Sequence, residues 1–155
     1  MAVKEAVMDN IFENFVISVL KLNRLIQKIK NLEMREYGLK STHVMCVYYL
    51  GKSDKGLTSG ELMRLTLEDK AAISRAVSLL RTKELVACQN GGYNSRIRLT
   101  ESGKALAEEV FEKISKAVEA GSADFTEEQR LRFYKSLEEI SANLNKYCEK
   151  LERQS

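Results

Sequence analysis

At both ends of this chain, apolar residues return at alternating steps of three and four. Near the N-terminus the series is Met8, Phe12, Phe15, Val19, Leu22, Ile26 and Ile29, widened by Ile11, Leu25 and Leu32. Near the C-terminus it is Phe133, Leu137, Ile140, Leu144, Tyr147 and Leu151. Such a step keeps one stripe of a helix apolar along its length and forms the seam between packed helices. The spacing predicts a long helix over residues 5–35 and a second one closing the chain. No proline occurs among the 155 residues to interrupt either. Both seams are too long for one small lobe to cover, which points to a homodimer joined through its terminal helices.

Shorter elements fill the middle. Ser41 or Thr42 can cap a helix running through Val44, Val47, Tyr48 and Leu50 to Gly51, and Ser53-Asp54-Lys55-Gly56 reads as a turn. Thr58-Ser59-Gly60-Glu61 is a capping box, with Leu57, Leu62 and Leu65 expected to anchor the helix it opens. A further helix is expected from about Asp69 to Lys83. It would bury Ile73, Ala76, Val77 and Leu80 and present Ala71, Ser74, Arg75 and Ser78 on the other side. Leu85 to Cys88 reads as a short strand, Asn90 to Ser95 as a turn, and Arg96 to Thr100 as a half-buried strand of alternating polarity. Thr100 or Ser102 then starts a helix with Leu106, Val110, Ile114 and Val118 inward, broken at Gly121-Ser122. A second capping box, Thr126 to Gln129, opens the last helix. The expected fold is mainly α with a small β-hairpin wing. One domain over 1–155 would hold a lobe at 39–103 and dimerisation helices at 5–35 and 104–152.

Charge is uneven along the chain. Residues 39–103 carry 10 basic and 6 acidic side chains, a balance of +4, against +1 before them and −2 after them. A basic middle suits a polyanionic partner. The N-terminus has no basic start followed by an apolar run, and no stretch reaches the roughly 18 apolar residues of a membrane helix. A cytoplasmic protein without membrane contact is therefore expected. Cys46, Cys88 and Cys148 form no C-x-x-C pair and His43 is the only histidine, so neither a metal site nor a disulfide scaffold is expected. No local charge marks any of the three as a reactive thiolate. No phosphate loop, nucleophile elbow or metal motif supports an enzyme, and no cofactor is expected.

A short helix, a tight connection, a second helix and a hairpin, in that order, make the layout of a winged helix-turn-helix. In that motif the second helix enters the major groove of duplex DNA. Lys70, Ala71, Ser74, Arg75 and Ser78 would face the groove, with Thr58 and Ser59 nearby and Arg96 and Arg98 on the wing.

The ordered stretches Gly56-Leu57-Thr58-Ser59-Gly60-Glu61-Leu62, Asp69-Lys70-Ala71-Ala72-Ile73-Ser74-Arg75-Ala76-Val77, Leu80, Glu84-Leu85-Val86 and Leu99-Thr100-Glu101-Ser102-Gly103 resemble the MarR family. They match its L-T-x-x-E-L, S-R-x-V-x-x-L and L-T-x-x-G elements in order and spacing. The resemblance implies a dimeric transcription repressor on a pseudo-palindromic operator, released by a small-molecule effector or by oxidation. It also implies a pocket between the dimer helices and the DNA lobe, for which His43, Tyr48 and Tyr49 are candidates, although His43 reads first as a capping or packing residue. The family's Asp-x-Arg wing element has no counterpart: the stretch here is Gly91-Gly92-Tyr93-Asn94-Ser95-Arg96, without aspartate. That departure leaves a second reading open, a winged-helix module that contacts proteins instead of DNA.

Overall fold

The computed structural model describes residues 2–89 and 95–154, and describes the side chains of residues 10, 11, 13–88 and 95–154. The expected turn at 90–94 and the side chains of Met8 and Phe12 lie outside them. Among the described residues, six helices and one pair of strands follow in order: α1 (Ala2–Glu33), α2 (Ser41–Gly51), α3 (Ser59–Thr66), α4 (Lys70–Thr82), β1 (Val86–Gln89), β2 (Arg96–Leu99), α5 (Glu101–Gly121) and α6 (Glu127–Glu152). The chain divides into two compact units, residues 1–114 and 115–155. No helix among the described residues is long and apolar enough to cross a membrane.

In the first unit, α2 packs on α1, α3, α4 and β2, and α4 also meets α3 and β1. Cys46, Val47, Leu62, Ile73 and Leu80 are fully buried among them, and Met34 and Leu39, in the connection after α1, close the same core. α1 stops at Glu33, a little short of expectation, and a run of turns follows to Gly38. Gly38 takes φ +63, the left-handed value that ends such a segment without a side-chain clash. Glu33 and Tyr37 reach the first part of α5: Lys113 Nζ lies 2.8 Å from Glu33 Oε2, and the Tyr37 hydroxyl donates to Glu109.

The capping boxes of α3 and α6 form as the sequence predicts. α2 starts one residue early, with Lys40 rather than Ser41 or Thr42 at its N-cap. The cause is His43, whose Nδ1 accepts the Lys40 backbone N–H at 2.8 Å. The two hydroxyl residues meet other partners: the Ser41 N–H donates to Asn31 Oδ1, and the Thr42 hydroxyl donates to Glu68 Oε1. Burial holds the His43 imidazole below its usual pKa, which favours the neutral ring able to accept that bond.

β1 and β2 pair antiparallel, with Cys88 opposite Ile97. Two glycines set how closely the neighbouring chain approaches them. Gly56 has φ +73, and a Cβ there would lie 2.5 Å from the Ile97 carbonyl oxygen. At Gly103 the limit is space alone, because a Cβ would lie 2.0 Å from the Leu85 carbonyl oxygen.

Leu65 departs from the expected inward pattern, and Leu67 after it stands further out. Leu65 is 41% exposed and Leu67 is 92% exposed. Leu67 closes α3 in the left-handed conformation at φ 59, where an L side chain costs about 1–2 kcal/mol. Leu67→Gly should therefore stabilise the protein by about 0.5–1 kcal/mol, the relief being partly offset by the greater freedom of glycine in the unfolded chain. Chemical denaturation checks this, and an unchanged or lower midpoint would refute it.

Along α1, Ile11, Phe15, Val19, Leu22, Leu25, Ile26, Ile29 and Leu32 are all exposed. Ile17 and Leu20, off that stripe, are exposed as well, so the helix is apolar almost all round near its middle. In the second unit the α6 stripe is equally open at Phe133, Ile140, Leu144, Tyr147 and Leu151, and only Leu137 is half-buried. Val118, expected inward on α5, is 42% exposed. Phe125 and Phe133 meet edge to face at the start of α6.

Candidate nucleic-acid interface

α4 is built to present one face. Asp69 caps it, accepting the Ala72 N–H at 2.7 Å. The helix is held inward by Ile73, Ala76, Val77 and Leu80, all buried. On the other side Lys70, Ala71, Ser74, Arg75 and Ser78 are exposed together, at the spacing that shares a helix face. Arg75 has no hydrogen-bond or ion-pair partner among the described residues. Three of its neighbours are small, so a groove wall can come close to the helix. The guanidinium fork suits a guanine edge or a phosphate.

At the start of α3, Thr58 Oγ1 accepts the Glu61 N–H at 3.2 Å, and Glu61 Oε2 accepts the Thr58 N–H at 2.7 Å. These bonds to Thr58, with Arg96 and Arg64 nearby, hold the Glu61 carboxyl below the usual carboxylate range. The hydroxyl of Thr58 is thus occupied by the cap, while Ser59 is exposed.

The wing arginines sit differently from Arg75. Arg96 Nη1 donates to the Gly56 carbonyl at 2.8 Å and lies 3.8 Å from Glu61 Oε2. Arg98 Nε donates to the Lys55 carbonyl at 3.2 Å. Both bonds join positions about forty residues apart, and no local pattern announces them.

Of the three candidate pocket residues, His43 serves the N-cap of α2, and the two tyrosines stack on one another. Tyr48 packs edge to face on Tyr49 and on Phe111, each at 5.2 Å between ring centres, with the Lys52 ammonium over its ring. An open groove of about 610 Å³ lies next to Phe111. Leu50, Leu99, Ala107 and Phe111 supply its apolar part, and Asp54, Arg98, Lys104 and Glu108 its charges.

Among the cysteines, Cys46 is fully buried and its thiol is pushed up to about 12 by that burial, with the Glu68 charge adding to it. Beside Cys88, Arg81 Nη2 donates to the sulfur at 2.9 Å. The two residues lie on different elements, so their nearness shows only in the fold. No group of three His, Cys, Asp or Glu among the described residues could hold a metal ion.

No family model matches the chain, and no curated protein does. Solved structures do. A MarR transcriptional regulator from Methanosarcina mazei Go1 is 25% identical, with 87% of this chain and 92% of that one covered at a TM-score of 0.78. The MarR protein from Peptoclostridium difficile DA00132 reaches the same TM-score at 20% identity, covering 89% of this chain and 92% of its own. The S. aureus MepR–DNA complex aligns at a TM-score of 0.74 with 14% identity, covering 83% of this chain and 97% of that one. The winged helix read from the motifs is present, and over most of its length this chain has the fold of the MarR-family transcriptional regulators.

Proposed function

We propose that this protein is a sequence-specific, duplex-DNA-binding transcription regulator, acting in the cytoplasm as a homodimeric repressor released by a small molecule. The observation that carries this reading is the free face of α4. Lys70, Ala71, Ser74, Arg75 and Ser78 are exposed side by side, opposite a fully packed face. A small polar face with one guanidinium unengaged among the described residues fits a major groove better than it fits bulk solvent. Ser59 at the start of α3 adds a hydroxyl next to the backbone. The solved complex of MepR with DNA supports the reading, since a protein of this fold is there bound to DNA.

A two-fold dimer reads inverted half-sites about one helical turn apart, roughly 10 base pairs centre to centre. The test is selection of duplexes from a random pool, followed by titration of the best one at several salt concentrations. The selected site should be an inverted repeat, and affinity should fall steeply with salt as counterions are released. A pool that stays unenriched, or a single asymmetric half-site, would overturn the reading.

A further inference from the structure

We propose that Arg96 and Arg98 form a clamp that fixes the hairpin against the start of α3, and that they act on DNA binding as positioning residues, not as phosphate contacts. The inference rests on the DNA-binding reading above and assigns the wing a different division of labour.

Two short strands alone make a marginal hairpin. This one gains a third partner at a single point: the Leu57 N–H donates to the Ile97 carbonyl at 3.0 Å, and the Ile97 N–H to the Leu57 carbonyl at 2.8 Å. Val86 and Ile97 also seat the base of the wing in the core, against α4 and α2. Ile97 is buried, so the side chains at 96 and 98 leave the strand on its other face. Both then turn back to the loop before α3. As a result the carbonyls of Lys55, Gly56 and Leu57 are taken in succession by Arg98, Arg96 and the Ile97 amide. The Ser53 hydroxyl donates to the Gly56 carbonyl as well, at 3.0 Å. A side chain at position 56 would meet Arg98 Cγ at 2.6 Å, so the loop lies flush against β2.

The clamp also reaches α3 itself. Glu61 Oε2, the atom that accepts the Thr58 N–H, faces Arg96 at 3.8 Å. One carboxylate therefore closes the helix start and meets the wing arginine. A charged donor on a carbonyl makes one of the stronger hydrogen bonds available to a protein. The hydrogen bond to the Gly56 carbonyl and the ion pair with Glu61 draw the Arg96 guanidinium inward. Arg75 has no such bonds among the described residues, and that contrast separates the two roles.

Arg96→Ala, Arg98→Ala and the double variant test the clamp in two ways. The first needs no DNA: amide hydrogen exchange at Leu57 and Ile97, with circular dichroism confirming an intact helical fold. Exchange should speed at least tenfold in each single variant and further in the double one. The second is titration of the selected duplex and a scrambled duplex of equal length over a salt series. Affinity should fall several-fold on both duplexes while the slope of log affinity against log salt stays as in the parent. A direct phosphate contact would instead lower that slope by about one unit per arginine. Unchanged exchange at Leu57 and Ile97 overturns the clamp, and so does a slope lowered by one per arginine. If the parent binds no duplex, the DNA-binding reading has failed, and the exchange measurement alone decides the clamp.

Discussion

Arg75→Ala should weaken binding to the preferred duplex by about 1–3 kcal/mol, roughly 5- to 150-fold, and should weaken random DNA much less. The magnitude follows from what the side chain offers. Its guanidinium is exposed on the open face of α4 and has no internal partner among the described residues, so none of these competes with the DNA for it. A bidentate pair with guanine O6 and N7 is directional and discriminates between bases. Folding should survive, because the side chain lies opposite the packed Ile73, Ala76, Val77 and Leu80. Ser74→Ala should act in the same direction with a smaller loss, since a neutral hydroxyl makes a weaker bond. Paired titrations on preferred and scrambled duplexes read both effects. Equal losses on the two would place Arg75 on a phosphate, and no loss on either would mean that α4 is not the reading helix.

The other large effect concerns assembly. The protein should sediment as one species of twice the chain mass at micromolar concentration, and Ile26→Glu should drive it to monomer. Ile26 is 51% exposed and lies mid-seam on α1, between Leu22 and Ile29, which are also exposed. Fully burying such a side chain stabilises by about 1.5–3 kcal/mol; about half of that remains to be gained at Ile26, and in a two-fold interface each substitution acts twice. The loss is then roughly 1.5–3 kcal/mol, about ten- to a hundred-fold in dissociation constant, before the cost of burying two carboxylates is added. DNA affinity should fall with the dimer, because a monomer engages only one half-site. A parent protein that sediments as a monomer would remove the reason for both seams.

Much of this architecture is legible without coordinates, and the reasons are local. The S/T-x-x-E/Q boxes at Thr58 and Thr126 satisfy backbone groups within three residues, so their sequence spacing is their geometry. The face of α4 is equally plain, since helical period alone separates Ile73, Val77 and Leu80 from Ser74, Arg75 and Ser78. What the sequence hides depends on distant partners or on unfavoured backbone. Nothing near Arg96 in sequence marks the Gly56 carbonyl as its partner. The N-cap of α2 falls on Lys40 because a histidine, an uncommon residue for that task, accepts its N–H. Nothing in the residue type of Leu67 announces that it ends a helix in a conformation that leucine rarely takes. The charge beside Cys88, on β1, arrives from the last turn of α4.

Gly103 shows how such a fold constrains its own variation. Its Cα passes so near the Leu85 carbonyl that a single added carbon has no room, and Leu99 closes the remaining side at 3.2 Å. The glycine of the L-T-x-x-G element is thus a matter of clearance, the gap through which α5 leaves the hairpin. Every replacement there must force two backbones apart. A saturation screen scored by reporter expression would rank Gly103 beside Arg75, although one is intolerant because it holds the scaffold shut and the other because it would meet the target. Cellular abundance measured alongside the reporter separates them: variants at 103 should vanish from the cell, and variants at 75 should persist there, folded and silent.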